Sequence, residues 1–191
     1  MISLKKHRVI RFGSHNTRRN LPSATSSKRG ESNFLACFEK IFLKHECSIT
    51  NEGQKLASGR EFALEGFGRA DLLSVVWKHT ETCGDFTALT LRNQLRLTAV
   101  EAKMTDWRKG LMQAARYRFF ANRALLVLPP IATKRALVFL VTFRDLNVGL
   151  WEFDEKTHRL TKHFTPRSRR PLNFKAREKA LDAIIRGLKF R

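Results

Sequence analysis

LRLTAVEAKMTDWRKGLMQAARYRFFANRALLVLP, residues 95–129, carries the pattern that decides the fold. Its first nine residues are rich in Val, Leu and Thr and predict a strand. A helix is predicted over 105–124, because Thr105 or Asp106 can cap its start and Ala, Leu and Met fill its middle. The apolar run 124–129 then predicts a second strand. Strand, helix and strand in this order indicate an α/β domain.

The flanking segments extend this plan in both directions. Upstream, ESNFLACFEKIFLKHE (31–46) places apolar side chains at helical spacing and predicts a helix with one buried face. Downstream, FKAREKALDAIIRGLKF (174–190) predicts a basic amphipathic helix. The stretch 79–94 predicts a long hairpin connection. Four further apolar runs predict strands: FALEGF (62–67), ADLLSVVW (70–77), ALVFLVTF (136–143) and VGLWEF (148–153).

The net charge is strongly positive and is concentrated at the two ends of the chain. Lys and Arg number 37 against 17 Asp and Glu, which gives a formal charge of +20 at pH 7. Residues 1–30 hold eight of these cations and no acid, whereas 166–191 hold nine cations and two acids. This imbalance predicts a polyanionic partner, and a nucleic acid fits it better than a membrane surface does.

The same composition divides the chain into three parts. The composition of residues 1–30 predicts a basic, disordered arm. This arm is a solvated tail, a phosphate-tracking arm or, least favoured, a transit peptide. Residues 31–165 predict one mixed α/β domain, and 166–191 predict a basic C-terminal helix with its linker. No apolar run approaches the about 18 residues of a membrane-spanning helix, so no membrane partner is expected.

The cysteine content indicates a reducing compartment. Cys37, Cys47 and Cys83 are too few and too scattered for a disulfide framework or a four-cysteine metal cage. We therefore expect a cytoplasmic protein without a structural zinc or iron–sulfur site.

Three charged residues occupy strand positions that would suit a catalytic site. Asp71 begins one apolar strand, and Glu101-Ala102-Lys103 ends the next one. Because strand side chains alternate between faces, Glu101 and Lys103 point the same way. If the two strands are antiparallel neighbours, Asp71 meets Glu101. Two adjacent carboxylates are costly unless a cation joins them, and an oxygen-only ligand set favours Mg²⁺ or Mn²⁺.

The pattern Asp71…Glu101-x-Lys103, between apolar strands and after a helix, resembles the PD-(D/E)xK nuclease superfamily, which has the restriction-endonuclease-like fold. On the helix that follows, Gln113 and Tyr117 form a QxxxY pair. This pair is similar to that of the RecB-like and lambda-exonuclease-like branch, in which such residues orient the active site and contact DNA. The resemblance implies a mixed central sheet flanked by helices.

The resemblance covers about residues 31–130, and both basic extensions lie outside it. The sequence departs from the family pattern in having Ala70 where the motif has Pro. It also has no cysteine cluster like that of the iron–sulfur members of the branch, so no such cluster is implied.

The resemblance implies hydrolysis of DNA phosphodiester bonds with Mg²⁺, for which Mn²⁺ would substitute. Asp71, Glu101 and the carbonyl of Ala102 would hold the metal. The family often adds an acid from the first helix, for which Glu31 and Glu39 compete. Glu31 is preferred, because it falls on the inward side of the helical wheel.

The remaining motif residues receive roles from the same resemblance. Lys103 would orient or help to deprotonate the attacking water, Gln113 would position that nucleophile or a metal-bound water, and Tyr117 would position the scissile phosphate. Lys109 shares the helix face of Gln113 and is either a phosphate contact or a solvated charge.

Two other basic features of the sequence each allow two interpretations. Arg69, two residues before Asp71, contacts a nucleic-acid phosphate or pairs with Glu65. The run PRSRR (166–170) is a solvated linker or a patch that binds the nucleic-acid backbone, and the patch is preferred because a basic helix follows it.

Two other functions compete with a nuclease. One is a catalytically inactive nucleic-acid-binding module of the same fold, and the other is a protein that binds RNA through charge alone. A homodimer is also left open, since many relatives cut two strands as dimers.

Overall fold

Seven strands lie side by side in chain order in one sheet. The computed structural model describes residues 9–12, 26–50, 54–78 and 95–189. The strands are β1 (Ile10–Arg11), β2 (Gln54–Leu64), β3 (Gly68–Lys78), β4 (Arg96–Ala102), β5 (Arg123–Leu128), β6 (Val148–Asp154) and β7 (Arg159–Phe164). The helices are α1 (Ser26–Ile49), α2 (Trp107–Tyr117), α3 (Pro130–Leu137), α4 (Leu140–Asp145) and α5 (Phe174–Lys189).

The sheet is mixed in direction. β2, β3 and β4 form an antiparallel meander, whereas β4, β5 and β6 run parallel. β1 adds a parallel edge and β7 an antiparallel one. The predicted α/β class, with a mixed sheet flanked by helices, is therefore confirmed. No helix among the described residues is long and apolar enough to span a bilayer.

Each face of the sheet is covered by its own helices and its own apolar core. On one face, α1 buries Phe34, Phe38 and Phe42 against the sheet, and Phe38 packs edge-on against Phe153 with 5.8 Å between ring centroids. On the other face lie α2 to α5. We call these the α1 face and the α2 face. The helical spacing of the apolar residues in α1 explains why that helix buries one side.

The basic C-terminal helix α5 is docked onto the domain. Its Arg177 is buried and donates hydrogen bonds to the backbone carbonyls of Phe120 (3.1 Å) and Leu95 (2.5 Å). Burial lowers the pKa of this guanidinium to about 10. The helix predicted from composition is therefore present and packs against the α2 face through Ala180 and Ile184.

The prediction of a strand over 136–143 was wrong, because this run is helical. Pro130 starts α3 at the first helical position, which its fixed φ favours, and α4 follows. Only one side of this pair of helices is buried, through residues such as Ala136 and Phe143, whereas Val138 and Val141 are exposed. Periodicity alone does not distinguish a short apolar helix from a buried strand, and this run, part of which is exposed to solvent, was therefore assigned to a strand.

Several segment boundaries also differ from expectation. The helix predicted over 31–46 is α1, which begins earlier, at Ser26. The strand predicted over 62–67 overlaps the end of β2, which begins earlier, at Gln54, and lies between β1 and β3. Within the predicted arm, Ile10–Arg11 form β1, and the hairpin connection predicted over 79–94 lies outside the described residues.

Candidate active site

The strand pairing that brings Asp71 to Glu101 is present. β3 and β4 are antiparallel neighbours with Leu72 opposite Val100, so Asp71 and Glu101 occupy the next step of the same register. The Oδ2 atom of Asp71 accepts a hydrogen bond of 2.7 Å from the backbone N–H of Ala102. The carboxylate of Asp71 is thereby fixed against the end of β4.

The regular alternation of side chains breaks at Asp71. Ala70 packs into the core of the α2 face, whereas Leu72, two residues later, packs into the core of the α1 face. Across the hairpin, Glu61 of β2 lies opposite Asp71 and has a φ of 54°, which is unusual for a residue other than glycine. This local distortion places the side chain of Asp71 between the two faces, where it reaches the backbone of β4.

Glu101 is the most deeply buried acid of the site. Its side chain is 1% exposed, and its Oε1 lies 2.6 Å from the Nζ of Lys103 on the same strand face. Its Oε2 contacts the hydroxyl of Tyr117, which also lies 2.6 Å from the carbonyl oxygen of Arg69. The single proton of this hydroxyl is therefore shared between two acceptors. The carboxylate of Glu101 is held on both sides by donors.

Helix α2 supplies the other wall of the site. Asp106 caps its start by accepting from the N–H of Lys109 (3.1 Å), as the sequence predicted. Gly110 lies against Lys103, since a Cβ there would sit 2.8 Å from the lysine Cγ. One turn later, the Oε1 of Gln113 is buried and has no hydrogen-bond partner among the described residues. A buried acceptor of this kind indicates a place for a ligand or a water.

Burial and repulsion between neighbouring carboxylates shift the pKa values of the acids of the site. Burial, and then the charge of Glu101, together raise the pKa of Asp71 to about 7, against the opposing effects of the Ala102 N–H and the charge of Lys103. Burial also raises the pKa of Glu101, although Lys103 and Tyr117 act in the opposite direction. A divalent cation between the two carboxylates would relieve this repulsion.

Lys103 is held as an ammonium. Burial lowers its pKa, but the hydrogen bond and charge of Glu101, together with the charges of Asp71 and Glu31, outweigh that effect and raise it overall. Burial, and then the charge of Glu101, raises the pKa of Tyr117. Both groups therefore act as proton-bearing donors towards Glu101 at neutral pH.

The two helix acids have different surroundings. Glu39 is 1% exposed and accepts hydrogen bonds from Arg11 (3.1 Å) and Arg60 (2.7 Å) on β1 and β2. It therefore fastens α1 to the edge of the sheet. The charge of Glu31, in contrast, acts on both Glu101 and Lys103. Of the two acids, Glu31 is the one near the site.

Of the predicted nucleic-acid contacts Arg69, Lys109 and Tyr117, the first two are exposed and the third is buried. Arg69 is exposed and pairs with Glu61 at 3.0 Å, so the partner is not Glu65 as one alternative had it. Lys109 is exposed on α2. Tyr117 is 1% exposed with its hydroxyl bound to Glu101, so its contact with a phosphate stays a prediction.

The oxygen atoms of the site fit Mg²⁺. Among the described residues, no group of three or more His, Cys, Asp or Glu side chains could hold a metal ion, and the carboxylates next to one another at this end of β4 are those of Asp71 and Glu101. The N–H of Lys103 donates to Val127 of β5 (3.1 Å), and in a trans peptide the carbonyl of Ala102 points the opposite way, towards β3. One or two carboxylates completed by waters and substrate oxygens are typical of Mg²⁺ sites.

Two residues of the site did not emerge from the sequence. Gly110 carried a signal, because a glycine inside a strong helical pattern costs about 1 kcal/mol and usually has a packing reason. Glu61 carried none, since both its register opposite Asp71 and its ion pair to Arg69 depend on the hairpin.

No protein-family model and no curated protein sequence matches this chain.

Proposed function

We propose that the chain is a metal-dependent nuclease that hydrolyses DNA phosphodiester bonds, and that its domain has the restriction-endonuclease-like fold. The observation that carries the proposal is the convergence of Asp71, Glu101, Lys103, Gln113 and Tyr117 on one end of β4. These residues come from two strands and one helix, and they are the set that resembles the PD-(D/E)xK motif. Their order along the chain also follows that resemblance, with α1 before the strands and α2 after Lys103.

Under this proposal, a metal ion binds at the two adjacent carboxylates. Mg²⁺, or Mn²⁺ in its place, would be held by Asp71, Glu101 and the carbonyl of Ala102 with Glu31 nearby, and would supply Lewis acidity and positive charge to offset the charge that grows on the phosphate. The N–H of Ala102 keeps the carboxylate of Asp71 oriented. The hydroxyl of Tyr117 does the same for Glu101, so both acids are preorganised before substrate arrives.

The chain's own residues handle water and phosphate. Lys103 has three donors, one of which binds Glu101, so the others can hold an attacking water or a phosphate oxygen. The unpartnered Oε1 of Gln113 would accept a hydrogen bond from that water and orient it. The exposed Arg69 and Lys109 would bind flanking phosphates, for which Arg69 exchanges its ion pair with Glu61.

The test is cleavage of labelled single-stranded, duplex and branched DNA, each with Mg²⁺, with Mn²⁺ and with EDTA. Wild-type protein is compared with Lys103→Ala and with Lys134→Ala, a matched control in which an exposed lysine of α3 is removed. We expect metal-dependent cutting by wild type and control, and at least a 10²-fold loss in Lys103→Ala with binding retained.

The two competing functions give different results in the same assay. Tight binding without cutting, by every protein and with every metal, would leave a catalytically inactive DNA-binding module. Binding of RNA in preference to DNA, steeply dependent on salt but not on metal, would identify a charge-driven RNA-binding protein.

A further inference from the structure

A cavity of about 190 Å³ lies at the other end of β4, away from Asp71 and Glu101. Arg96, Thr98 and Arg123 line it together with Glu46 at the end of α1. Arg96 and Glu101 are five positions apart along the strand, which corresponds to roughly 17 Å. The volume is below the roughly 300 Å³ at which pockets for drug-sized molecules begin, and equals about six water molecules. It therefore suits one small polar group.

Among the described residues, Glu46 is the acid that lines this cavity, and it forms no ion pair with either of the cavity's arginines. Neither Arg96 nor Arg123 forms an ion pair within the described part of the chain. The Nε of Arg123 is buried and has no hydrogen-bond acceptor among those residues. A buried guanidinium N–H without an acceptor is uncommon in folded proteins, so an acceptor from outside the chain would complete the arrangement.

The positive charges here are crowded. Burial lowers the pKa of Lys162, the charge of Glu46 acts in the opposite direction, and the charge of Arg123 has a smaller lowering effect. Burial, and then the charge of Arg169, lowers the pKa of Arg118. Cations that suppress one another in this way are stabilised by a bound anion.

The segment 167–170, with the sequence RSRR, borders the same cavity through Ser168 and is called the arginine segment here. The N–H of Arg169 donates to the carbonyl of Asn122 (3.1 Å), and the Asn122 amide donates back to the Arg169 carbonyl (3.2 Å). Asn147 donates to the carbonyl of Arg167 (3.3 Å). The backbone is thus fixed while the side chains are exposed. Fixing the backbone in advance reduces the entropy cost of binding through these arginines.

Glu46, the acid in the cavity wall, does not cancel the positive charge around the cavity. Glu46 accepts a hydrogen bond from Ser74 (3.4 Å). Its other oxygen lies 3.8 Å from the Nδ1 of His45, and the Nε2 of His45 contacts Lys162. One carboxylate thus faces two arginines of the cavity and a nearby lysine, so the surroundings stay net positive and select an anion with several acceptor oxygens.

We propose that this cavity and the arginine segment bind a phosphate group, either as free phosphate or as a phosphate of a nucleic-acid strand. Arginine is suited to this task because its planar fork donates two hydrogen bonds to two phosphate oxygens. The site does not depend on the nuclease proposal, since no residue of the candidate active site contributes to it.

The test uses the full chain in two calorimetric titrations, one with inorganic phosphate and one with a single-stranded oligonucleotide. The variants are Arg123→Gln and the exposed Arg96→Gln, with Lys134→Gln as the matched control. We expect wild type and control to bind one or both probes, and each cavity variant to lose at least tenfold in affinity. Circular dichroism checks folding, and Arg96→Gln decides alone if Arg123→Gln unfolds.

The two probes separate the two sources of the phosphate. Loss of affinity for both probes, with phosphate competing against the oligonucleotide, identifies a general phosphate site. Loss for the oligonucleotide alone identifies a nucleic-acid phosphate, and loss for inorganic phosphate alone identifies the free ion. Equal affinities in wild type and both cavity variants, or no binding of either probe to wild type, would overturn the proposal.

Discussion

The two ends of β4 are surrounded by side chains of opposite charge. At the end near Ala102, Asp71 and Glu101 are buried together and the pKa of each is raised. At the end near Arg96, cations are crowded and the pKa of Lys162 is lowered, in part by the charge of Arg123. The proposed metal site and the proposed phosphate site are therefore about 17 Å apart on the same strand.

The two ends also differ in how they are held. The acids are oriented by donors within the protein, namely Lys103 and Tyr117 for Glu101 and a backbone N–H for Asp71. Within the part of the chain that the structure describes, Arg96 and Arg123 form no ion pair, and the backbone of the arginine segment beside them is anchored by hydrogen bonds. Internal hydrogen bonds favour the precise geometry that chemistry requires, whereas unpaired arginines suit binding.

Replacing Asp71 should have the largest effect, because it should reduce DNA cleavage at one end of β4 and leave phosphate binding at the other end unchanged. We expect Asp71→Asn to reduce DNA cleavage by about 10³-fold, because the amide is neutral and cannot hold a cation. The anion-binding end should be unaffected, so calorimetry should give wild-type affinity for phosphate. A parallel loss of phosphate affinity would show that the two ends are coupled.

Gly110 tests how closely the lysine must be placed. An alanine Cβ would lie 2.8 Å from the Cγ of Lys103 and 2.6 Å from Leu126 Cδ1, so the lysine must shift. We expect Gly110→Ala to lower kcat by about 10²-fold, the usual cost of a displacement near 1 Å. Met112→Ala, at an exposed position of the same helix, is the control. Wild-type kcat in Gly110→Ala would contradict this packing.

The stability of the metal-free protein should fall as pH rises. The pKa of Asp71 in the folded state, about 7, is above the roughly 3.9 of an unfolded chain. Its contribution is therefore fully present below about pH 4 and is lost as pH passes through 7. Between pH 5 and 8, Tm should fall by roughly 5–10 °C more in wild type than in Asp71→Asn, as about 2.5 kcal/mol would give.

Thermal melts in EDTA and in Mg²⁺ measure this effect directly. Mg²⁺ should raise Tm more at pH 8 than at pH 5, because the carboxylates bind it only when ionised. Identical pH profiles for wild type and Asp71→Asn without metal would show that Asp71 does not titrate in this range.

The arginine segment should give the smallest effect. If Arg169 or Arg170 contacts a phosphate of duplex DNA, its replacement by Gln should reduce the slope of log K against log salt by about 0.9. Cleavage at saturating DNA should stay at the wild-type rate. Arg135→Gln on α3 serves as the control, and an unchanged slope in both variants of the segment would remove it from the DNA-binding surface.

The sequence predicted the parts of the fold that depend on local periodicity. The apolar spacing of α1 and α5 and the β-branched runs of β3, β4 and β5 are short-range patterns, and each of these elements is present. The run 136–143 failed because its apolar residues are only partly buried, and burial depends on which segments pack alongside.

The candidate site was predicted in part for the same reason. That Glu101 and Lys103 share a face follows from strand alternation alone, and the register of β3 and β4 then brings Asp71 alongside. The choice between Glu31 and Glu39 required the positions of Arg11 and Arg60, which lie on other strands. No local pattern contains that information.

The sequence by itself determined the net charge, the order of most helices and strands, and the face that Glu101 shares with Lys103. The tertiary structure alone decided that Glu61 lies opposite Asp71, that Gly110 supports Lys103, and that Arg96 and Arg123 meet around a cavity. The physical reason is the distance along the chain over which each effect acts. Periodicity and propensity act over a few neighbouring residues, whereas cross-strand register, burial and charge crowding arise only when distant segments pack together.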